Sequence, residues 1–327
     1  MEKVQLGVIG LGAIGQGLLQ QLQAREDVQL SAVCDTQRAV AQRVAQEAGD
    51  IPYFTDYQAL LANADADLVY VAVPPKYHER IVLDVLQAGK HLLCEKPLAN
   101  AVDEAKRMKE AANEAGVVHA MHFPLHYQPG LIGFKERLQE GYIGQPRHIR
   151  LTMHFPQWPR LWQQNDWVAG REQGGYVLEV GVHWIQAMQS MFGRVTDVQS
   201  DIRFPSHNDA CETDIIAQMK LEDGTPVLIE GMRDVAGEEH IEFAVYGTEG
   251  TLKLLNWKTL VGGKVGEPIE KLTDGPIQKG KMIQELIAAV KGQEAEIYDF
   301  NVGYEAQVVL EALRRPQSQG WQTLKYV

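Results

Sequence analysis

Apolar and polar positions follow two rhythms along this chain. Over roughly the first 120 residues, short apolar runs alternate with longer stretches of helical period, the pattern of a parallel sheet with crossover helices. VQLGVIG (4–10) predicts a first strand and 15–25 a helix. QLSAVCD (29–35) predicts a second strand, followed by a helix from Gln37 to Ala48, and Tyr53 and Phe54 mark a short third strand. ADLVYVAVP (66–74) is almost wholly apolar, as suits a central strand buried on both faces. His78 to Ala88 predicts a helix stopped by Gly89, and HLLCEKP (91–97) a further strand. Val102 to Ala115 predicts a helix closed by Gly116, and VVHAMHF (117–123) a sixth strand. Six strands with crossover helices make a complete doubly wound dinucleotide-binding domain, expected over 1–123.

The rhythm changes near Pro124. A helix (Pro129–Glu140) leads to a strand (His148–Phe155), a long tryptophan-rich stretch and a helix from about Val177 to Met191. Strand-like segments follow at 196–204, 213–221, 225–233, 240–247 and 250–256, with turn signals at EDGT (222–225) and TEGT (248–251). Consecutive strands with short turns predict a large, mostly antiparallel open sheet. Two helices, 281–291 and 301–314, close the chain. The fold class is therefore α/β, with a second domain for substrate binding and oligomerisation expected over 124–327.

Length and composition agree with this division. A chain of 327 residues exceeds what one hydrophobic core usually serves. No apolar run is long enough for a bilayer span, and the first strand begins at Val4, leaving no room for a signal peptide, so a cytoplasmic location is expected. The net charge of -12 argues against nucleic acid or an anionic membrane as partner. A small-molecule substrate remains, together with assembly into a homodimer or homotetramer, because an open sheet would otherwise leave an apolar face in water. Cys34, Cys94 and Cys211 are too few and too scattered for a disulfide framework or a zinc site, and read as buried thiols. No metal is expected at His119, His122 and His126 either. The first two lie three apart on a strand and face opposite ways, and no carboxylate completes a ligand pattern.

Candidate chemistry begins at Gly10-Leu11-Gly12-Ala13-Ile14-Gly15, a G-x-G-x-x-G loop that follows a strand and opens a helix. Gly10 permits the tight turn, Gly12 leaves room for a pyrophosphate, and Gly15 lets the helix pack close to the strand. The helix N-terminus then offers unpaired N–H groups and a positive dipole end. Asp35 ends the second strand about 20 residues later, where a carboxylate accepts from ribose hydroxyls and disfavours a 2′-phosphate. Thr36 and Arg38 beside it keep NADP open, since an arginine there can pair with that phosphate; NAD is the preferred reading. The expected cofactor contacts are completed by Ala13, Ile14, Val73, Pro74, His78, Glu95 and Lys96.

Two further features suit proton transfer. Lys96, in Glu95-Lys96-Pro97, lies just past a strand of a sheet whose ligands sit at the carboxyl ends of the strands. A desolvated amine beside a positively charged ring gives up its proton readily and can exchange one with an alcohol. Glu179 and His183 stand four apart on a predicted helix entered through Gly174-Gly175, so they share a face. A carboxylate beside an imidazole fixes its tautomer, as an acid–base group requires.

VIGLGAIG (8–15), AGKHLLCEKPLA (88–99) and GGYVLEVGVHWIQAM (174–188) together resemble the glucose–fructose oxidoreductase/inositol dehydrogenase (Gfo/Idh/MocA) family over essentially the whole chain. The resemblance implies a Rossmann domain followed by an open α/β domain, and hydride transfer between NAD(P) and a sugar, polyol, cyclitol or related carbonyl compound. It places the family's catalytic lysine on Lys96 and its helix histidine on His183. Glu179 stands where the family commonly has aspartate, and Pro124-Leu125-His126-Tyr127 where it often has an arginine beside an aromatic residue. Imine (C=N) reduction in place of ketone reduction is a further alternative, and relatives also include NAD-dependent glycosidases and non-catalytic sensors. The presence of both Lys96 and His183 weighs against the last.

Substrate choice is expected to lie in His154-Phe155-Pro156-Gln157-Trp158-Pro159-Arg160-Leu161-Trp162, then Trp167 and Arg171. Indole faces stack on the C–H faces of sugars, and Arg160 or Arg171 could hold a carboxylate or phosphate. The same residue types also fill interfaces. His126 and His154 are substrate candidates too, though both read more readily as packed, hydrogen-bonded side chains.

Overall fold

The computed structural model describes residues 3–206, 209–277, 280–315 and 320–327, and the chain divides into two compact units. The first comprises Met1–His122 and Gly280–Tyr304; the second comprises Phe123–Lys279 and Glu305–Val327.

In the first unit the strands are β1 (Val4–Ile9), β2 (Val28–Cys34), β3 (Tyr53–Phe54), β4 (Leu68–Val71), β5 (His91–Cys94) and β6 (His119–Met121). They form one sheet in the order β3-β2-β1-β4-β5-β6, and every pairing is parallel. Between them run α1 (Ala13–Gln23), α2 (Arg38–Glu47), α3 (Tyr57–Asn63), α4 (His78–Gln87) and α5 (Val102–Ala115). β4 is buried at all four positions, as its unbroken apolar run requires of a strand flanked by β1 and β5. The stops after α4 and α5 are Gly89 and Gly116, both left-handed, which a glycine adopts without a Cβ penalty.

The segment 280–304 was expected in the second domain, and its place in the first unit follows from its side chains. Helix α9 (Lys281–Val290) buries Ile283, Leu286 and Ile287 in the same apolar cluster as Leu6, Leu18 and Leu22. Beyond it, Tyr298 accepts a backbone hydrogen bond from Met121 (2.7 Å), and the Phe300 N–H donates to His119 Nδ1 (3.2 Å). This return segment therefore covers the edge strand β6, whose backbone would otherwise stand unpaired.

In the second unit α6 (Pro129–Gln139) precedes β7 (Pro146–Phe155), the short α7 (Asp166–Ala169) and α8 (Val182–Phe192). The remaining strands are β8 (Val195–Arg203), β9 (Asp214–Leu221), β10 (Pro226–Arg233), β11 (His240–Gly247), β12 (Gly250–Leu255), β13 (Thr259–Lys264), β14 (Glu270–Lys271) and, after α10 (Phe300–Arg314), β15 (Gln322–Thr323). They form one sheet in the order β14-β13-β12-β11-β7-β10-β9-β8-β15, antiparallel except where β10 runs parallel to β7. β9 alternates strictly between buried and open positions, the period of a sheet with one covered face.

Three of these strands, β13, β14 and β15, carry no clear signal in the sequence. β14 and β15 have two residues each. β13 is hidden because the turn before it is built from Asn256-Trp257, both at positive φ (46° and 70°), where Asn-Gly would be the recognisable signal. Among the described residues no helix is long and apolar enough to cross a membrane. Cys34, Cys94 and Cys211 are free and buried.

Candidate active site

The glycine loop leaves β1 and enters α1 through Gly12, which is extended and caps the helix. Gly10 takes φ +96°, and a Cβ there would lie 2.3 Å from the Ala72 carbonyl oxygen, so only glycine fits. A Cβ on Gly15 would lie 2.2 Å from the Gly10 oxygen, which fixes how close helix and loop come. Gly12 differs: a Cβ there would meet nothing within 4 Å. Gly12, Ala13 and Ile14 are exposed. The first intrahelical bond runs from Gln16 N–H to Gly12 oxygen (3.0 Å), so the N–H groups of Ala13, Ile14 and Gly15 precede the helix ladder. An open floor, exposed N–H donors and a helix dipole together fit a dinucleotide pyrophosphate.

Asp35 stands past β2 with its carboxylate half-exposed. Oδ2 accepts from the Leu11 N–H (2.9 Å) and Oδ1 from the Gln37 N–H (2.8 Å). It thus ties the glycine loop to the start of α2, and each oxygen keeps a second lone pair for a ligand hydroxyl. Thr36 and Arg38 are exposed, and Arg38 Nη2 approaches the Tyr53 hydroxyl at 3.5 Å.

At the C-terminal end of β5, Glu95 is buried and Lys96 is partly exposed. Glu95 Oε1 accepts from the Tyr70 hydroxyl (2.6 Å) and from His122 Nδ1 (2.5 Å), while Oε2 accepts from the Lys96 N–H (3.3 Å). Burial alone pushes the Glu95 carboxyl up. The charge and hydrogen bond of His122, with Tyr70 and Lys96, outweigh it and hold Glu95 below the usual carboxylate range. The carboxylate therefore anchors the lysine's backbone through charge-assisted bonds.

His78, expected among the cofactor contacts, is wholly buried. Its Nε2 lies 2.8 Å from the Val73 oxygen, and its Nδ1 lies 3.1 Å from the Pro97 and Leu98 oxygens and 3.6 Å from Cys94 Sγ. Desolvation lowers its basicity and pushes the Cys94 thiol well up. A neutral ring carries one proton, so it donates either from Nε2 to the Val73 oxygen or from Nδ1 to the Pro97 and Leu98 oxygens. His78 thereby joins the loop after β4, which carries the partly exposed Val73 and Pro74, to the loop carrying Lys96.

In the second unit, the helix carrying Glu179 and His183 opens with a π-helical turn (Val177–Gly181) before α8 begins. The double glycine before it is forced by space. A Cβ on Gly174 would lie 2.2 Å from the Trp167 oxygen, and one on Gly175, at φ +101°, 2.2 Å from Glu212 Oε2. Glu212, fully buried, accepts from the Val177 N–H (2.7 Å) at the positive end of this helix. Burial nevertheless raises its carboxyl above the ordinary value. Glu179 is buried, and Oε2 accepts from Gln163 Nε2 (3.0 Å). His183 is 8% exposed. Its ring meets Phe123 and Trp257 edge-on, at centroid distances of 6.1 and 5.4 Å and interplanar angles of 82° and 83°.

The tryptophan-rich segment separates into inward and outward residues. Trp158 is buried against Phe155 and Tyr176, and its Nε1–H donates to the Val168 oxygen (3.2 Å). Arg160 makes a bidentate pair with Glu239 (2.8 and 2.7 Å) beneath the rings of Phe155, Trp158 and Trp162. Arg171 donates to the Pro205 oxygen (2.9 Å) and lies over Phe204. Both cations are thus engaged by the protein. Trp162 is 60% exposed and Trp167 partly so. His154, on β7, faces Glu230 (3.3 Å) and is half-buried. His126 is interior: Nε2 donates to Gln186 Oε1, and Nδ1 accepts from Lys135 Nζ (2.8 Å). Burial, with the Lys135 charge, drops its pKa to about 3, so the ring is neutral. Gln163, Trp257 and the contacts that Tyr70 and His122 make with Glu95 carried no signal in the sequence, since each matters through a neighbour distant along the chain.

Two family models match this chain, one described as an oxidoreductase family with an NAD-binding Rossmann fold over residues 4–123, the other as the GFO/IDH/MocA C-terminal domain over 132–253. Among curated proteins, an uncharacterized oxidoreductase, YrbE of Bacillus subtilis, is 25% identical over 76% of this chain and 73% of its own length. A myo-inositol 2-dehydrogenase of Thermotoga maritima is 28% identical over 61% of this chain, which spans 58% of that relative's length. Among solved structures, the WlbA dehydrogenase of Bordetella pertussis, in complex with NADH and UDP-GlcNAcA, shares the fold with a TM-score of 0.83 and 20% identity, over 96% of both chains.

Proposed function

For a chain that belongs to the GFO/IDH/MocA family of oxidoreductases, we propose oxidation of a secondary alcohol on a sugar, polyol or cyclitol, or reduction of the corresponding carbonyl, with NAD. The observation that carries this reading is the placement of Lys96. It stands directly past the C-terminal end of β5, at the same end of one parallel sheet as the glycine loop after β1 and Asp35 after β2. Ligands of such sheets lie at that end. Relatives named as a myo-inositol 2-dehydrogenase and a D-glucoside 3-dehydrogenase support the substrate class.

Bound nicotinamide supplies hydride uptake or return at its ring. The protein's residues do the rest. Ala13, Ile14 and Gly15 offer N–H groups to the pyrophosphate, and Asp35 offers its remaining lone pairs to ribose hydroxyls. That carboxylate favours NAD over NADP by repelling a 2′-phosphate. Lys96, its backbone fixed by Glu95, takes the hydroxyl proton during oxidation or returns it during reduction. His183 is the second group assigned to proton handling, and Glu179 with Gln163 holds the helix turn that precedes it.

The test is a substrate panel of myo-inositol, levoglucosan and D-glucose with NAD, read as NADH absorbance, and of the derived ketones with NADH. Turnover of at least one supports the reading. Inactivity in both directions, or aglycone release from a glycoside without net NADH, overturns it.

A further inference from the structure

We propose that Trp257 is a substrate-positioning residue, an indole wall against which the apolar face of a sugar or cyclitol rests while its oxygen meets His183. The inference rests on the assignment of His183 to the site.

Its first support is backbone conformation. Trp257 occupies the second central position of the turn between β12 and β13, where Lys258 N–H closes onto the Leu255 oxygen (3.0 Å). Its φ of +70° lies in the left-handed region, which a bulky side chain avoids and glycine fills freely. Asn256, the first central residue at φ +46°, suits its place and accepts from the Ile241 N–H (2.8 Å). A turn with a well-chosen asparagine followed by a disfavoured tryptophan is held for what the indole does, and such outliers concentrate at ligand sites.

The second support is where the indole goes. It packs against Trp184 at a centroid distance of 5.0 Å with the rings tilted by 36°, and Trp184 stacks in turn on Phe243 at 5.8 Å, so two buried rings brace it from behind. Its other neighbour is the His183 imidazole, 5.4 Å away and nearly perpendicular. Trp257 is itself only partly buried, unlike Trp184. An oxygen within hydrogen-bond reach of His183 brings the attached ring carbons within van der Waals range of this indole. The C–H groups of a polyol ring, which carry partial positive charge, then face an electron-rich surface.

The strain supplies the test, because glycine at this position relieves it. Trp257→Gly is assayed with the same three panel compounds and NAD, alongside melting temperature and NADH affinity. The expected result is a rise in KM of about tenfold or more. NADH affinity is unchanged, relief of the backbone strain offsets part of the lost packing so that the protein stays folded at the assay temperature, and Trp257→Phe recovers part of the loss. KM within twofold of wild type overturns the proposal. So does a fall in kcat alone, which would mean that the indole acts through His183, or a fall in melting temperature large enough to account for the loss. Failure of the wild type to turn over any panel compound overturns the substrate class and this inference with it, whereas wild-type turnover with an indifferent Trp257→Gly overturns this inference alone.

Discussion

The glycine loop of the first unit and the tryptophan-rich segment of the second are both candidate ligand surfaces, yet they are made in opposite ways. The loop is made of backbone. Its exposed residues are Gly12, Ala13 and Ile14, its donors are N–H groups at a helix start, and the side chains that meet it, Asp35 and Gln16, bond to its backbone. The segment is made of side chains that mostly serve one another. Trp158 is buried, Arg160 is paired with Glu239, and Gln163 turns inward to Glu179. A backbone site constrains residue type tightly at fixed spacing, whereas a side-chain site can be assembled from many compositions. The first therefore leaves a recognisable spacing in the sequence, whereas the second leaves only a composition.

The largest effect expected is at the chemical step. Lys96→Ala should lower turnover by about a thousandfold, within the usual range for losing a positioned acid–base group. NADH affinity, measured by fluorescence titration, should stay within a few-fold, because the cradle lies at β1 and β2. Turnover near the wild-type rate would show that the lysine is only a loop residue. Next comes the inward half of the tryptophan segment. Trp158→Ala should cost about 3 kcal/mol in chemical denaturation, with the lost Nε1 bond included. Trp162→Ala, which removes an exposed ring, should leave stability within about 0.5 kcal/mol. Equal costs would erase the division of that segment into inward and outward residues.

The same contrast explains what could be read from sequence. The six-stranded sheet was legible because its strands are continuous apolar runs and its helices end at Gly89 and Gly116. The order of its strands follows from chirality and the glycine fingerprint once six are counted. The segment 280–304 was misplaced because an amphipathic helix carries no mark of which core it will join. The strand β13 was missed because Trp257 occupies a glycine's place. Lys96 and His183 stood out by motif. The partners that hold or frame them, His122 with Tyr70 around Glu95, and Phe123 with Trp257 around His183, are separated along the chain by 25 residues or more and have no motif of their own. His126, for which packing was the preferred reading over substrate contact, is buried, hydrogen-bonded and neutral.

That burial makes His126 a probe of stability against pH. Its folded pKa of about 3 lies below the unfolded value of 6.5. Above 6.5 neither state binds the proton and the contribution to stability is complete; as pH falls toward 3, the unfolded state gains a proton that the folded state refuses. Between pH 7 and 5 the loss should be about 2 kcal/mol. His78, also lowered by burial, adds in the same sense, so the comparison must be made against a variant. His126→Gln should flatten the slope by that amount. Glu95, held low, acts in a different window, its contribution being lost only as pH falls below 4.5. A slope between pH 7 and 5 that survives in His126→Gln would assign the effect to other groups.

Gly12→Val separates the two kinds of site most cleanly. Gly12 already has the extended backbone (φ -68°, ψ -176°) that valine prefers, and a Cβ meets no protein atom within 4 Å. The folded protein should therefore keep its melting temperature without ligand. Gly10→Ala, by contrast, drives a methyl onto the Ala72 carbonyl at positive φ and should lose about 1–3 kcal/mol. Valine adds a branched side chain at the residue that precedes the Ala13, Ile14 and Gly15 N–H groups, so NADH should bind about tenfold more weakly or worse. Unchanged affinity in Gly12→Val would mean that the open floor of the loop is not where the pyrophosphate lies. Lost stability would mean that the loop tightens in a way its open floor does not require. Only weakened binding on an intact fold is what a cradle shaped by the absence of a side chain must give.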